Sequence, residues 1–303
     1  MPRACPVATL PDPPTGSLAH AVRAAGGTVT TPDEAVGLVW LGTEPAALGA
    51  ALARLPGVRW VQLPWAGVEE YLPYVDAHRQ WCRARGVYGV QVAEHALMLA
   101  MVCLRDAARS VRSGRWSPRP PAVLTGQPVT IVGGGEIARA LLPMLEPFGC
   151  DVTVVRRAAS PLPGAAVVPY RDLDAALAAA RVVVLAASLT PATRRLIDAR
   201  RLGVMRSDAC LVNVARGALV DTGALVRALT EGRIAAAGLD VTDPEPLPPG
   251  HPLWRAPGCF ITAHCAGELS VAYPAFDRQV GANVANWIQG RPLLGVIDRT
   301  RGY

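Results

Sequence analysis

The sequence predicts an α/β protein built on a doubly wound parallel sheet, and three observations carry that expectation. Val129–Arg157, VTIVGGGEIARALLPMLEPFGCDVTVVRR, reads as strand, tight glycine turn, helix, turn and second strand. From Val129 to Thr262, strand-like and helix-like stretches then alternate regularly. Residues 1–90 show the same alternation with shorter apolar strands and Ala-rich helical segments. Alternating elements of this kind bury a parallel sheet between helical layers.

In the first part, Val36–Leu41 and Val58–Leu63 are the clearest strands, with a helix expected over Pro45–Leu55. Pro64-Trp65-Ala66-Gly67 follows the second strand. A small-residue loop at the carboxyl end of a strand exposes backbone N–H groups where α/β sheets bind ligands, and it also suits a plain turn. Val92–Arg112 is the longest helical pattern, apolar enough for a helix between domains or at a dimer contact, with His95 packed within it. Ser117–Pro121, SPRPP, reads as a linker. Beyond it the pattern predicts strands at 129–132, 151–155, 167–170, 182–186, 209–214, 234–239 and 259–262. Helices are expected over 136–147, 172–179, 193–203 and 222–231. Pro143 predicts a bend or an early end in the first of these, because an interior proline removes a hydrogen bond. Residues 270–290 form a last amphipathic helix, and no solenoid repeat is visible.

The chain's 303 residues suffice for two ordinary domains, and 51% hydrophobic with 18% charged residues supports ample cores. Its net charge of +6 comes wholly from arginine, since no lysine occurs. That excludes lysine Schiff-base chemistry and a lysine phosphate loop. The arginines are scattered rather than striped, which argues against a nucleic-acid surface and for a small anionic ligand. Seven cysteines without a C-x-x-C pair suggest neither a metal site nor a disulfide framework. No segment has the length of a membrane span and no secretory signal opens the chain, so the cytoplasm is the expected location.

Gly133, Gly135 and Ala138 complete a G-x-G-x-x-A pattern between strand and helix. The first glycine permits the turn, the second admits a pyrophosphate, and the small third residue lets helix and strand pack closely. The free N–H groups at the helix start then face the phosphates. Where an NAD site carries an acidic residue at the end of the second strand, this chain has Arg156 and Arg157. A guanidinium grips a 2′-phosphate that a carboxylate would repel, so NADP(H) is the preferred cofactor, with NAD(H) possible.

Three polar residues follow strands of the second part: Arg216 in NVARGALVD, Glu245 in LDVTDPEP and His264 in FITAHCAG. Loops at the carboxyl ends of parallel strands converge on the cofactor crevice. A cation to hold a carboxylate, an imidazolium to supply a proton and a carboxylate to orient that ring are what reduction of a 2-oxo acid requires.

These stretches together resemble the D-isomer-specific 2-hydroxyacid dehydrogenases over nearly the whole chain. The resemblance rests on GVRWVQLPWAGV (57–68), VAEH (92–95), GGGEIA, LVNVARGALVD, AAGLDVTDPEPLP, ITAHCAG and the ending GVIDRTRGY. It implies two Rossmann-like domains: a dinucleotide-binding domain, 94–270, inserted in a split flavodoxin-like substrate domain, 1–93 and 271–303. It also implies catalytic roles for Arg216, Glu245 and His264, with Asp240 at the nicotinamide. The implied substrate site comprises Trp65, Ala66, Gly67, Arg216 and His264. The implied cofactor site adds Gly133, Gly134, Gly135, Glu136, Ile137, Arg156, Arg157, Ala187, Ser188, Thr193, Val214 and Ala215. Ala263 and Ser188 stand where the family usually has proline, and Glu245 argues against formate oxidation. By overall look the chain is most similar to glyoxylate/hydroxypyruvate reductases. A homodimer acting on a small 2-oxo or 2-hydroxy acid is therefore expected, with no metal. The alternatives are an NADH-dependent relative for a bulkier acid and a non-catalytic, dinucleotide-sensing corepressor-like protein.

Overall fold

The computed structural model describes residues 3–116, 120, 122–157 and 160–300. The chain divides into two compact units, one running up to Tyr88 and resuming at Glu268, the other spanning Gly89–Gly267. Both boundaries fall a few residues before the positions expected from the sequence.

In the first unit the chain forms β1 (Pro6–Leu10), α1 (Gly16–Ala24), β2 (Thr28–Val29), β3 (Gly37–Trp40), α2 (Pro45–Ala53), β4 (Trp60–Gln62) and β5 (Gln80–Cys82). The five strands pair in parallel in the order β2-β1-β3-β4-β5. This is the flavodoxin-like arrangement. β3 and β4 are buried along their whole length, as expected of strands covered on both faces. Leu38, Leu48, Val58, Val61, Leu63 and Trp81 fill the core on one side. On the other side α1 packs along the last helix of the chain, which close approach at Gly281 permits: a Cβ there would lie 3.2 Å from the Ala21 carbonyl oxygen.

The second unit opens with α3 (Gly89–Leu104) and α4 (Ala107–Ser113). The single helix expected over 92–112 is thus two. Asp106, at φ 50°, makes the break in the left-handed region that aspartate tolerates better than most residues. The new direction lets Arg112 on α4 donate to the carbonyls of Ala256 (3.1 Å) and Cys259 (2.7 Å). Next come β6 (Pro128–Val132), α5 (Glu136–Leu145), β7 (Asp151–Val155), β8 (Ala166–Val168), α6 (Leu173–Ala179) and β9 (Val182–Leu185). α7 (Ala199–Val204), β10 (Cys210–Asn213), α8 (Thr222–Thr230), β11 (Ala236–Leu239) and β12 (Cys259–Ile261) complete the unit. The seven strands are all parallel, in the order β12-β11-β10-β9-β6-β7-β8. The order reverses between β6 and β9, which makes their carboxyl ends the switch point of a doubly wound sheet.

Two further differences have local causes. α5 stops at Leu145, two residues past Pro143, and passes into a short 3₁₀ turn that Gly149 ends at φ 61°. α7 starts at Ala199 rather than 193, because Asp198 caps it by accepting from the Arg201 N–H at 2.8 Å, and residues 190–195 fold into turns ending on Arg195 at φ 50°. The SPRPP segment lies outside the described residues except for Pro120. The chain returns to the first unit through α9 (Leu269–Ile288). Among the described residues no helix is long and apolar enough to cross a membrane.

Candidate active site and cofactor cradle

The turn after β6 reaches the switch point with no room for a side chain. Gly133 sits at φ 115°, and a Cβ on it would lie 2.4 Å from the Ala186 carbonyl oxygen at the end of β9. Gly134 lies against the stem of Arg156, whose Cδ would be 2.6 Å from an added Cβ. Gly135 begins α5 with open space around it, and Ala138 is fully buried beneath. The first N–H groups of α5, at Glu136 and Ile137, therefore border an open cradle. Arg156 is fixed at its backbone, its N–H donating to the Val168 carbonyl at 3.0 Å, while its buried Nη1 has no hydrogen-bond partner. A buried guanidinium nitrogen left unmatched beside a glycine cradle suits an anion. Arg157 is exposed, close enough to Tyr170 that its charge opposes the rise burial causes in that phenol's pKa.

At the ends of β10, β11 and β12 the three expected polar residues are built by distinct local devices. After β10, buried Asn213 staples its turn: its amide donates to the Arg216 carbonyl (2.9 Å) and its carbonyl accepts from the Ala215 N–H (3.1 Å). Gly217 then packs so tightly on the Thr242 carbonyl that a Cβ would fall 1.9 Å from it, which brings the Arg216 turn against the loop bearing Glu245. Half-buried Arg216 donates from Nη1 to the Ala215 carbonyl at 2.8 Å. Glu245 closes its own loop by accepting from the Thr242 N–H (3.3 Å), and its other oxygen meets His264 Nδ1 at 2.5 Å. That contact fixes the ring and leaves Nε2 as its outward atom. Both side chains remain partly open to solvent.

His264 itself has φ 49°, a left-handed backbone that costs a non-glycine residue about 1 kcal/mol. Asp240 holds it there. The Asp240 carbonyl accepts from His264 N (2.8 Å), and its carboxylate from Cys265 N (3.0 Å), Ala266 N (3.0 Å) and Thr262 Oγ1 (2.6 Å). At 2% exposure, Asp240 is a buried anchor of the loop. Thr262 and Asn213 were not singled out in the sequence; both lie at strand ends, which was the available signal.

His95 Nε2 comes within 2.9 Å of Thr262 Oγ1 and 3.3 Å of Asp240 Oδ1, and Cys265 Sγ approaches the same carboxylate oxygen at 3.7 Å. The three side chains could surround a cation. Asp240 Oδ1 already accepts from Thr262 and Cys265, however, so the cluster is a hydrogen-bonded hub.

Of the remaining expected residues, Val214 and Ala215 are buried in the Asn213 turn, and Ala187 is buried after β9. Ser188 is exposed, and its carbonyl accepts from Thr193 Oγ1 at 2.8 Å, so the Thr193 hydroxyl ties this loop in place of proline stiffness. In the first unit Trp65 packs against the core beside β4. The Trp65 carbonyl takes the Ala84 N–H at 2.8 Å and the Pro64 carbonyl takes the Tyr88 hydroxyl at 2.7 Å. Among the described residues the N–H groups of Ala66 and Gly67 have no partner, and Ala66 is exposed.

A doubly wound sheet with a glycine cradle at its switch point, and an imidazole–carboxylate pair on neighbouring strand ends, defines an NAD(P)-binding oxidoreductase. A model of the D-isomer specific 2-hydroxyacid dehydrogenase NAD binding domain matches residues 95–266. The chain belongs to the D-isomer specific 2-hydroxyacid dehydrogenase family, oxidoreductases that act on CH–OH donors with NAD(P). An uncharacterized protein from the proB 3′ region of Corynebacterium melassecola is 39% identical over 257 residues, covering 81% of this chain and 84% of its own. A glyoxylate reductase of Thermofilum pendens is 36% identical over 71% of this chain, a match that spans 66% of that enzyme's length. The crystal structure of a D-isomer specific 2-hydroxyacid dehydrogenase from Xanthobacter autotrophicus Py2, in complex with NADPH and MES, superposes with a TM-score of 0.85. It is 28% identical, over 99% of this chain and 100% of its own.

Proposed function

We propose that the protein reduces a small 2-oxo acid, of the glyoxylate or hydroxypyruvate type, to a D-2-hydroxy acid with NADPH. The carrying observation is the His264–Glu245 contact at 2.5 Å beside the Arg216 turn. In this reading Glu245 holds the imidazole by Nδ1 and stabilises its charge, so that Nε2 carries the proton to the ketone oxygen. Arg216 grips the substrate carboxylate and polarises the carbonyl. The dinucleotide, when bound, supplies the hydride. Gly133–Ile137 would cradle its pyrophosphate, with Asp240 and residues 187–193 and 214–215 lining the remainder. Similarity to a glyoxylate reductase, and to a solved structure holding NADPH, supports the substrate class and the cofactor.

Arg156 is the residue assigned to cofactor choice, because its unmatched buried Nη1 fits a 2′-phosphate, with Arg157 adding a second cation. Charge-assisted hydrogen bonds, discounted for partial exposure, predict an NADPH preference of about tenfold to a hundredfold in kcat/KM. Arg156→Asp should reverse the preference, and high salt should weaken NADPH binding more than NADH binding. Steady-state kinetics with both cofactors at two ionic strengths tests this. NADH used as well as NADPH by the native chain would make these arginines surface residues.

The proposed assembly is a homodimer seated mainly on the second unit, where Val90 and Met101 of α3 are exposed apolar side chains. Free thiols at all seven cysteines support a reducing compartment such as the cytoplasm.

A further inference from the structure

His264 is held in an unfavourable backbone conformation, and the groups that hold it form a chain running away from the reacting atoms. Three successive N–H groups, of His264, Cys265 and Ala266, all end on Asp240. One buried residue therefore sets the turn that presents the imidazole. Its carboxylate must keep one orientation to accept from residues 265 and 266 at once, and the Thr262 hydroxyl fixes that orientation from the side, 2.6 Å away.

A threonine hydroxyl has one proton, and here Asp240 Oδ1 takes it. At the 2.9 Å contact between Thr262 Oγ1 and His95 Nε2, the ring must then be the donor. The direction is consistent throughout: His95 donates to Thr262, Thr262 donates to Asp240, and Asp240 receives the main chain of the His264 turn. His95 stands on α3, a helix whose inner face packs against α5 and the strands β10 and β11. A rigid element thus ends the chain.

We propose that His95 is a positioning residue for His264, acting through Thr262 and Asp240 to hold the 264–266 turn in its left-handed conformation. The inference rests on the reading of His264 as proton donor and adds a residue that the reaction itself does not touch. Loss of the His95 donor frees the Thr262 hydroxyl to rotate, loosens the Asp240 carboxylate and lets the His264 backbone relax toward ordinary dihedrals. The imidazole then meets the substrate oxygen in fewer productive arrangements, while the glycine cradle, built on β6 and α5, is unchanged.

The test compares His95→Leu with His95→Gln, and Thr262→Val with Thr262→Ser, in the full-length chain, with His264→Ala as reference. Reduction of glyoxylate and hydroxypyruvate by NADPH gives kcat, quenching of tryptophan fluorescence gives NADPH affinity, and turnover in D₂O gives the solvent isotope effect. His95→Leu and Thr262→Val should lower kcat by roughly tenfold to a hundredfold, as a small misplacement of a catalytic group does, and raise the isotope effect. NADPH affinity should fall several-fold less than kcat, because Asp240 borders the cofactor but the glycine cradle is untouched, and binding and chemistry separate in such a comparison. Gln and Ser, which keep the donor and the hydroxyl, should restore most of kcat. An unchanged kcat in His95→Leu, equal losses in the Leu and Gln variants, or a loss confined to NADPH affinity would each overturn the inference. Wild-type turnover by His264→Ala would instead overturn the reading beneath it, whereas an inactive His264→Ala beside a fully active His95→Leu sinks the positioning role alone.

Discussion

Cys265 alone among the seven cysteines is exposed, and it lies one residue past His264. Burial pushes the Cys5 thiol up to about 11 and the Cys82 and Cys259 thiols up to about 12. Cys150 is half-buried, and burial raises its pKa as well. Because the thiolate is the nucleophile, a limiting amount of iodoacetamide at neutral pH should label Cys265 first. Mass spectrometry of the first-labelled peptide checks this, and equal labelling at Cys150 would contradict it. At this scale most residues of the candidate site were legible in the sequence. Arg216, Glu245 and His264 each follow a strand, which makes them candidates; their catalytic roles are what the family resemblance implies, and the structure pairs Glu245 with His264 directly. Asp240 was legible only through a resemblance, as a cofactor contact. Its anchoring of three main-chain N–H groups depends on the parallel register of β11 and β12, where Leu239 lies opposite Ile261, and no local pattern reveals that register. His95 was readable as a packed histidine, but its partner Thr262 is 167 residues away.

α9 ties the C-terminal segment to the first sheet through two buried amides. Asn283 donates to Gln62 Oε1 (2.9 Å) and accepts from the Leu294 N–H (2.7 Å), while Gln279 accepts from Arg85 N (2.8 Å) and donates to the Arg83 carbonyl (2.9 Å). Asn283 is fully buried, so Asn283→Leu leaves Gln62 and the Leu294 backbone unsatisfied. Such orphaned groups predict a loss of about 2–4 kcal/mol. Urea unfolding followed by circular dichroism measures it, and a loss under about 0.5 kcal/mol would show that water replaces the amide without cost. Element boundaries show where sequence patterns stop being informative. Helical periodicity runs unbroken through 92–112 because Leu104 and Ala108, four residues apart across the break, are both buried. A left-handed residue between two helices leaves the spacing of apolar positions nearly intact, and aspartate at that point carries no strong stop signal. Pro143 did carry one, and α5 ends soon after it.

The two sheets have the orders 2-1-3-4-5 and, counted from β6, 7-6-5-4-1-2-3. Regular alternation and one glycine turn made the class of each legible from sequence, because a parallel strand buried on both faces leaves a continuous apolar run. Assembly is a separate matter, since an apolar helix face suits a core as well as a partner. Light scattering at micromolar concentration should give twice the chain mass of 31.8 kDa, and a monomer mass would remove the proposed dimer. The measurement that reaches the central claim most directly is NADPH oxidation by the purified chain with glyoxylate, hydroxypyruvate, pyruvate and phenyl-substituted 2-oxo acids, beside His264→Ala. Turnover should be fastest with one of the two small substrates, give the D product, and fall by at least about a hundredfold in His264→Ala, as the loss of a general acid does. Absence of turnover with every acid in the panel, or an unimpaired His264→Ala, would contradict the account.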